Sequence, residues 1–168
     1  RGNGIPKANL VENNNLDHKK FIKFCFAGNL SISKGLKELL KASENLFKKN
    51  QNFELNIAGK YLPSEDDYIS QACFEKMQKS SYINFYGRLD HSEMNGFYSN
   101  SDIFILPSYG EGIPKSALEA ASNGLPLILT DVDGCNECID QNGFLIPVGD
   151  IAGLENKLNK IKIKWIKD

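Results

Sequence analysis

The chain has 168 residues, of which 41% are hydrophobic and 24% are charged, and its formal net charge is −1 at pH 7. This length and apolar content fit one domain with a single core. The near-neutral charge gives no reason to expect nucleic acid or an anionic membrane as a partner. No apolar run is long enough to span a membrane and no signal peptide precedes the fold, so we expect a soluble, cytoplasmic domain.

Short apolar runs typical of strands alternate with helix-like runs from one end of the chain to the other. The strands are predicted at residues 21–27, 53–58, 83–86, 103–106, 127–130 and 144–148. This alternation predicts an α/β fold, namely a Rossmann-like parallel six-stranded sheet with helices on both faces.

Three of the helices have signals of their own. Apolar residues spaced three and four apart between Leu36 and Phe47 predict one buried stripe. A polar loop at residues 63–67 leads to a second helix that ends near Lys79. Asp90 and Glu93 have the spacing of a capping box, which predicts the start of a third.

Glycines follow most of the predicted strands. They are Gly28, Gly59, Gly87, Gly110, Gly112 and Gly134. In open α/β sheets the ligand lies outside the carboxyl ends of the strands, so these glycines predict one shared crevice. The same pattern would suit any nucleotide binder of this fold class, and the specificity has to come from other residues.

Two glutamates flank a predicted helix start in the segment 107–126. Gly110 and Gly112 allow the backbone to approach a ligand closely, and Pro114 suits the first position of a helix. Free amides at such a helix start favour an anionic or hydroxyl-rich ligand. Glu111 before the helix and Glu119 in its second turn can accept hydrogen bonds from two parts of one elongated ligand.

The pattern Pro-Ser-x-x-Glu-Gly-x-Pro-x-x-x-Leu-Glu-Ala-x-x-x-Gly-x-Pro resembles the donor-sugar signature of retaining GT-B glycosyltransferases of family 4, the glycosyl transferases group 1. Further landmarks follow in the family's order at residues 27–30, 33–35, 57–59, 85–87, 130–134 and 142–150. The resemblance implies that residues 1–168 form the nucleotide-sugar-binding half of a GT-B fold. Residues 1–20 would then be an interdomain segment, and the N-terminal acceptor domain would be absent.

The resemblance also implies the roles of individual residues. Glu119 would bind the ribose hydroxyls, Glu111 the hydroxyls of the donor sugar, and Lys34 the departing diphosphate, with Glu111 and Lys34 as the catalytic candidates. The remaining donor-binding candidates are Gly28, Asn29, Gly59, Arg88, Leu89, Gly112, Ile113, Pro114, Lys115 and Leu118.

One position departs from the family pattern. Asn29 stands where an arginine is common, so the diphosphate would depend on Lys34, Lys60, Arg88 or Lys115. The alternatives are that these lysines are solvated and that Arg88 pairs with a nearby acid.

Two further motifs are discounted, and neither a metal nor another cofactor is expected. Asp131-Val-Asp133 matches a metal-binding DxD pattern but follows a parallel strand, where a turn is the better interpretation. Cys135 and Cys138 form a CxxC without a second pair, and the chain has only two histidines, so a four-ligand zinc site is not expected.

For the full-length protein the resemblance implies a transferase of hexose or N-acetylhexosamine from a UDP-sugar in polysaccharide or lipopolysaccharide assembly. Its acceptor would be lipid-linked or an oligosaccharide. The full-length protein would be located in the cytoplasm or at the inner face of the membrane. This chain alone is expected to be inactive. Alternatives are a nucleotide-sugar epimerase or hydrolase, a non-catalytic binding module, and a dinucleotide-binding domain, although residues 27–33 lack G-x-G-x-x-G.

Overall fold

The computed structural model describes residues 22–49, 52–110 and 112–167, with side chains through residue 161. The predicted sheet is confirmed: six strands pair in parallel in the order β3-β2-β1-β4-β5-β6. The strands are β1 (Ile22–Ala27), β2 (Phe53–Ala58), β3 (Ile83–Phe85), β4 (Ile103–Leu106), β5 (Leu127–Thr130) and β6 (Gly143–Ile146). The predicted interdomain segment lies outside the described residues.

The described residues also form five α-helices and one short 3-10 helix. They are α1 (Leu36–Lys48), α2 (Gln71–Lys79), α3 (His91–Ser99), α4 (Lys115–Ser122) and α5 (Ile151–Lys167), with the 3-10 turn at Asn136–Cys138. Parallel connections are right-handed, so this strand order puts α1 and α2 on one face of the sheet and α3 and α4 on the other. The terminal helix α5 returns to α1, where Nδ2 of Asn45 donates to Glu155 over 3.1 Å.

The central strands are buried on both faces, as their uninterrupted apolar sequences require. Every residue of β4 and β5 is buried. A parallel sheet covered by helices on both sides needs strands of this kind, because neither face meets water. The core therefore forms two layers, one on each side of β1, β4 and β5.

Several predicted boundaries are wrong by one or two residues. Strand β6 ends at Ile146 rather than 148, because Pro147 has no N–H to continue the ladder. Strand β3 ends at Phe85, although the amide of Tyr86 still donates to the Ile57 carbonyl over 2.9 Å. Phe47 is not part of the buried stripe: it is 43% exposed and stacks on Tyr82.

The strand order changes direction at β1, whose neighbours are β2 on one side and β4 on the other. The loops after β1 and β4 therefore lead to opposite faces and leave a crevice between them. No helix in the described part of the chain is long and apolar enough to cross a membrane.

Candidate functional site

A cleft of about 510 Å³ opens at the carboxyl ends of β1, β2 and β4. Its walls come from these three strand ends, the loops that follow β1, β2 and β3, and the facing sides of α3 and α4. The lining residues are Ala27, Gly28, Asn29, Lys34, Ala58, Gly59, Lys60, Arg88, Leu89, Met94, Tyr98, Leu106, Ser116 and Glu119.

The structure brings together seven of the candidate residues from the sequence in this cleft. They are Gly28, Asn29, Lys34, Gly59, Arg88, Leu89 and Glu119. Five others, Gly112, Ile113, Pro114, Lys115 and Leu118, do not line it. Glu111 lies outside the described residues, so its place relative to the cleft stays a prediction.

The floor of the cleft is built from backbone that only glycine permits. The amide of Gly28 donates to the Ala58 carbonyl over 3.0 Å, and that of Gly59 donates to the Gly87 carbonyl over 2.9 Å. Gly59 has φ +157°, and a Cβ there would collide with the carbonyl of Gly28. Successive strand ends are thus bonded to one another, which gives the ligand a rigid backbone surface.

Glu119 enters the cleft from α4 and is held by a tyrosine on α3. The hydroxyl of Tyr98, a fully buried residue, donates to Oε2 of Glu119 over 3.3 Å. Burial raises the pKa of Tyr98, and the Glu119 carboxylate adds to the rise. The hydroxyl therefore stays protonated at neutral pH, so Oε2 keeps its donor while the other carboxylate oxygen can accept from a ligand.

The charges in the cleft favour an anion with hydroxyl groups. Three cationic side chains, Lys34, Lys60 and Arg88, line it together with one carboxylate, Glu119. Arg88 forms no ion pair with any described residue. Cations grouped in a concave site raise the local potential for a phosphate-bearing ligand.

The helix start beside Glu119 differs from its prediction by one residue. Pro114 is not the first residue of α4, because its backbone is extended, with φ −73° and ψ 112°. It occupies the N-cap instead, and its carbonyl accepts from the amides of Ala117 at 3.1 Å and Leu118 at 3.2 Å. The amide of Ser116, in the first turn, donates to no described residue, and Ser116 lines the cleft.

Six lining residues were not named as site candidates from the sequence. Ala27, Ala58 and Leu106 lie in predicted strands, and Met94, Tyr98 and Ser116 come from α3 and α4. Tyr98 and Met94 lie on an amphipathic helix, where such side chains are usually core. Ser116 had a usable signal, since it is the second residue after a proline that precedes a helix.

The discounted motifs have structural roles. Asp131 follows β5 in a turn, where its Oδ1 accepts from Asn136 over 3.4 Å. None of the four cysteines forms a disulfide, and burial raises the pKa of Cys138, opposite to the shift that a reactive thiol needs. No group of three metal-ligating side chains occurs among the described residues.

Comparison with known proteins gives a family and several relatives. The family described as glycosyl transferases group 1 matches residues 7–167. A glycogen synthase of Mycobacterium tuberculosis is 31% identical over 77% of this chain and 31% of its own length. The O-antigen biosynthesis glycosyltransferase WbnH of Escherichia coli is 33% identical over 86% of this chain and 38% of its own.

Among solved structures, the pneumococcal O-GlcNAc transferase GtfA in complex with UDP and GlcNAc is similar, with a TM-score of 0.63 and 25% identity over 86% of this chain and 27% of that one. The chain spans about a third of the length of the curated relatives it matches. The family match covers nearly all of the sequence, including every strand of the sheet. The chain therefore belongs to the glycosyl transferases group 1 family.

Proposed function

We propose that the cleft binds the nucleotide diphosphate of a nucleotide sugar, and that the chain is the donor-binding domain of a retaining GT-B glycosyltransferase. The observation that carries the proposal is the meeting of three cations with one fixed carboxylate in a single cleft. A nucleotide sugar presents a diphosphate to the cations and vicinal ribose hydroxyls to the carboxylate.

Each side chain has a role that follows from its chemistry. Glu119, oriented by Tyr98, accepts from the ribose hydroxyls. Lys34 and the unbonded amide of Ser116 stabilise the diphosphate, whose negative charge grows as the sugar leaves. Leu89 and the backbone beside it contact the base. Glu111, by the family pattern, binds the hydroxyls of the sugar.

Uridine is the base we favour, because the similar GtfA was solved with UDP. WbnH acts in O-antigen biosynthesis, which supports a hexose or N-acetylhexosamine transfer in polysaccharide assembly. The acceptor, lipid-linked or oligosaccharide, would be held by an N-terminal domain. No metal is needed in this proposal, because the cationic side chains supply the charge.

The experiment is a calorimetric titration of UDP, GDP and ADP into wild type and Glu119→Ala. We expect UDP to bind and the mutant to bind it about tenfold more weakly. The mutation should weaken 2′-deoxy-UDP less than UDP, because the deoxyribose keeps only one of the two hydroxyls that Glu119 accepts from. The matched control is Glu54→Ala, a half-buried glutamate at the far end of β2. Equal UDP affinity in Glu119→Ala and wild type would refute the ribose assignment.

A second measurement tests the role of the chain as a donor domain alone. The 168-residue chain is expected to bind a UDP-sugar without hydrolysing, epimerising or transferring it. Turnover of the donor without an acceptor would favour an epimerase or hydrolase. Binding of NAD with no binding of any nucleoside diphosphate would favour a dinucleotide-binding domain.

A further inference from the structure

The loop between β1 and α1, residues 28–35, forms several backbone hydrogen bonds with the loop between β2 and α2, residues 60–70. The amide of Leu30 donates to the Lys60 carbonyl over 2.9 Å, and that of Ile69 donates to the Leu30 carbonyl over 2.9 Å. The amide of Ile32 then donates to the Asp67 carbonyl over 2.6 Å. The backbone that carries Lys34 therefore has protein partners before any ligand arrives.

Asp67 extends this pairing with its side chain. Its Oδ1 accepts from the amide of Ser33 over 3.1 Å, and its Oδ2 accepts from the Ser33 hydroxyl. Two hydrogen bonds from one residue to one carboxylate fix the peptide as well as the side chain of Ser33. Because the acceptor is ionised, these bonds are stronger than bonds between neutral groups.

Ser33 also holds the loop between β4 and α4, which contains Glu111. Its carbonyl accepts from the amide of Tyr109 over 2.8 Å. The hydroxyl of Ser108 can donate its one hydrogen either to this carbonyl over 3.2 Å or to that of Gly110 over 3.1 Å. Ser33 thus lies between Asp67 on one side and the loop between β4 and α4 on the other.

The backbone of the next residues in the β1–α1 loop is tightly constrained. Gly35 has φ +72°, and a Cβ there would collide with the carbonyl of Pro107 at the end of β4. Lys34 stands between the bonded Ser33 and this tight contact. Displacement of Ser33 would therefore move the attachment point of Lys34.

We infer that Asp67 is a positioning residue that fixes Lys34 and, through Ser33, the loop that leads to Glu111. The benefit of this positioning for ligand binding rests on the proposed function, in which the two loops would meet the diphosphate and the sugar. A loop ordered in advance costs less entropy when the ligand binds. The loss of Asp67 should therefore weaken ligands that carry the diphosphate more than ligands that end at the first phosphate.

Asp66 supplies a matched control within the same loop. It is exposed, has the same charge, and makes no hydrogen bond or ion pair with a described residue. Asp66→Ala and Asp67→Ala change the net charge equally, so a difference between them reports the hydrogen bonds of Asp67. Asp67→Asn keeps one acceptor oxygen and is expected to fall between wild type and Asp67→Ala.

The first readout needs no ligand. Amide hydrogen exchange at Ser33 and Tyr109 should become at least about tenfold faster in Asp67→Ala and stay unchanged in Asp66→Ala. Unchanged exchange at both amides in Asp67→Ala would overturn the inference, whether or not the chain binds a nucleotide.

The second readout compares UDP with UMP by calorimetry. In Asp67→Ala, UDP affinity should fall about tenfold and UMP affinity by less than about twofold. An equal fall for both would assign Asp67 a general structural role and overturn the inference. Failure of wild type to bind UDP, GDP or ADP would contradict the proposed function, while hydrogen exchange would still decide the role of Asp67.

Discussion

The substitution Tyr98→Phe tests the geometry of the cleft without changing its charge. The hydroxyl that it removes belongs to a fully buried side chain and donates to Oε2 of Glu119 over 3.3 Å. The ring remains, so its edge contacts with Phe97 and Phe104 are kept. The only group lost is the donor that orients the carboxylate.

The expected losses of stability and of UDP affinity follow from the length and the exposure of this hydrogen bond. A hydrogen bond to a charged group contributes about 1.5–3 kcal/mol. The bond is long and Glu119 is only half-buried, so water in the cleft can replace the donor and the free energy of unfolding should fall by about 1 kcal/mol. Ordering the released carboxylate on binding costs about 0.5–1.5 kcal/mol, which corresponds to a roughly three- to tenfold weaker UDP affinity.

The assay is a double-mutant cycle measured by UDP titration and thermal unfolding. Tyr98→Phe should weaken UDP binding in wild type and have little further effect in Glu119→Ala. The control Tyr82→Phe removes a hydroxyl that bonds to no described residue, and it lies in the groove between α1 and α2. Equal losses from Tyr98→Phe in both backgrounds would refute the idea that Tyr98 acts through Glu119.

Three other predictions concern stability, charge and pH. Gly59→Ala should lower the free energy of unfolding, measured in urea, by about 3 kcal/mol, because the added Cβ collides with backbone. Gly87 has φ +66° but open space around it, so Gly87→Ala should lower the free energy of unfolding by only about 1 kcal/mol. Equal losses in the two variants would contradict this. Asn29→Arg should raise UDP affinity about fivefold at low salt and less at high salt, since it adds a cation to the cleft; salt-independent affinity would contradict it. Ion pairs with Lys76 and Lys48 lower the pKa of Glu44 from 4.5 to about 2, so their stabilisation is present above about pH 4.5 and is lost as the pH falls through 2. The stability difference between wild type and Glu44→Gln, about 1 kcal/mol near neutral pH, should shrink with acid, and a pH-independent difference would refute this.

The sheet and the crevice could be predicted because local sequence determines them. Strands such as β4 and β5 are uninterrupted apolar runs, and several glycines that follow strands, such as Gly59 and Gly87, have a positive φ that favours glycine. Gly59 is the clearest case, since its position against Gly28 excludes any Cβ. A predicted order of elements then places all carboxyl ends of a parallel sheet at one edge.

The partners of the site residues could not be predicted, because they come from distant parts of the chain. Tyr98 and Glu119 are 21 residues apart, and Ser33 and Asp67 are 34 apart. A buried tyrosine on a helix and an aspartate in a polar loop have ordinary structural interpretations in sequence. Only the packing of α3 on α4, and of one loop beside another, gives them a role at the cleft.

Whether this cleft binds a nucleoside diphosphate can be measured by mapping UDP binding on backbone amide NMR signals. We expect the largest shifts at Gly28, Lys34, Gly59, Leu89 and Ser116. Shifts confined to the groove between α1 and α2, or no shifts at millimolar UDP, GDP and ADP, would contradict this proposal.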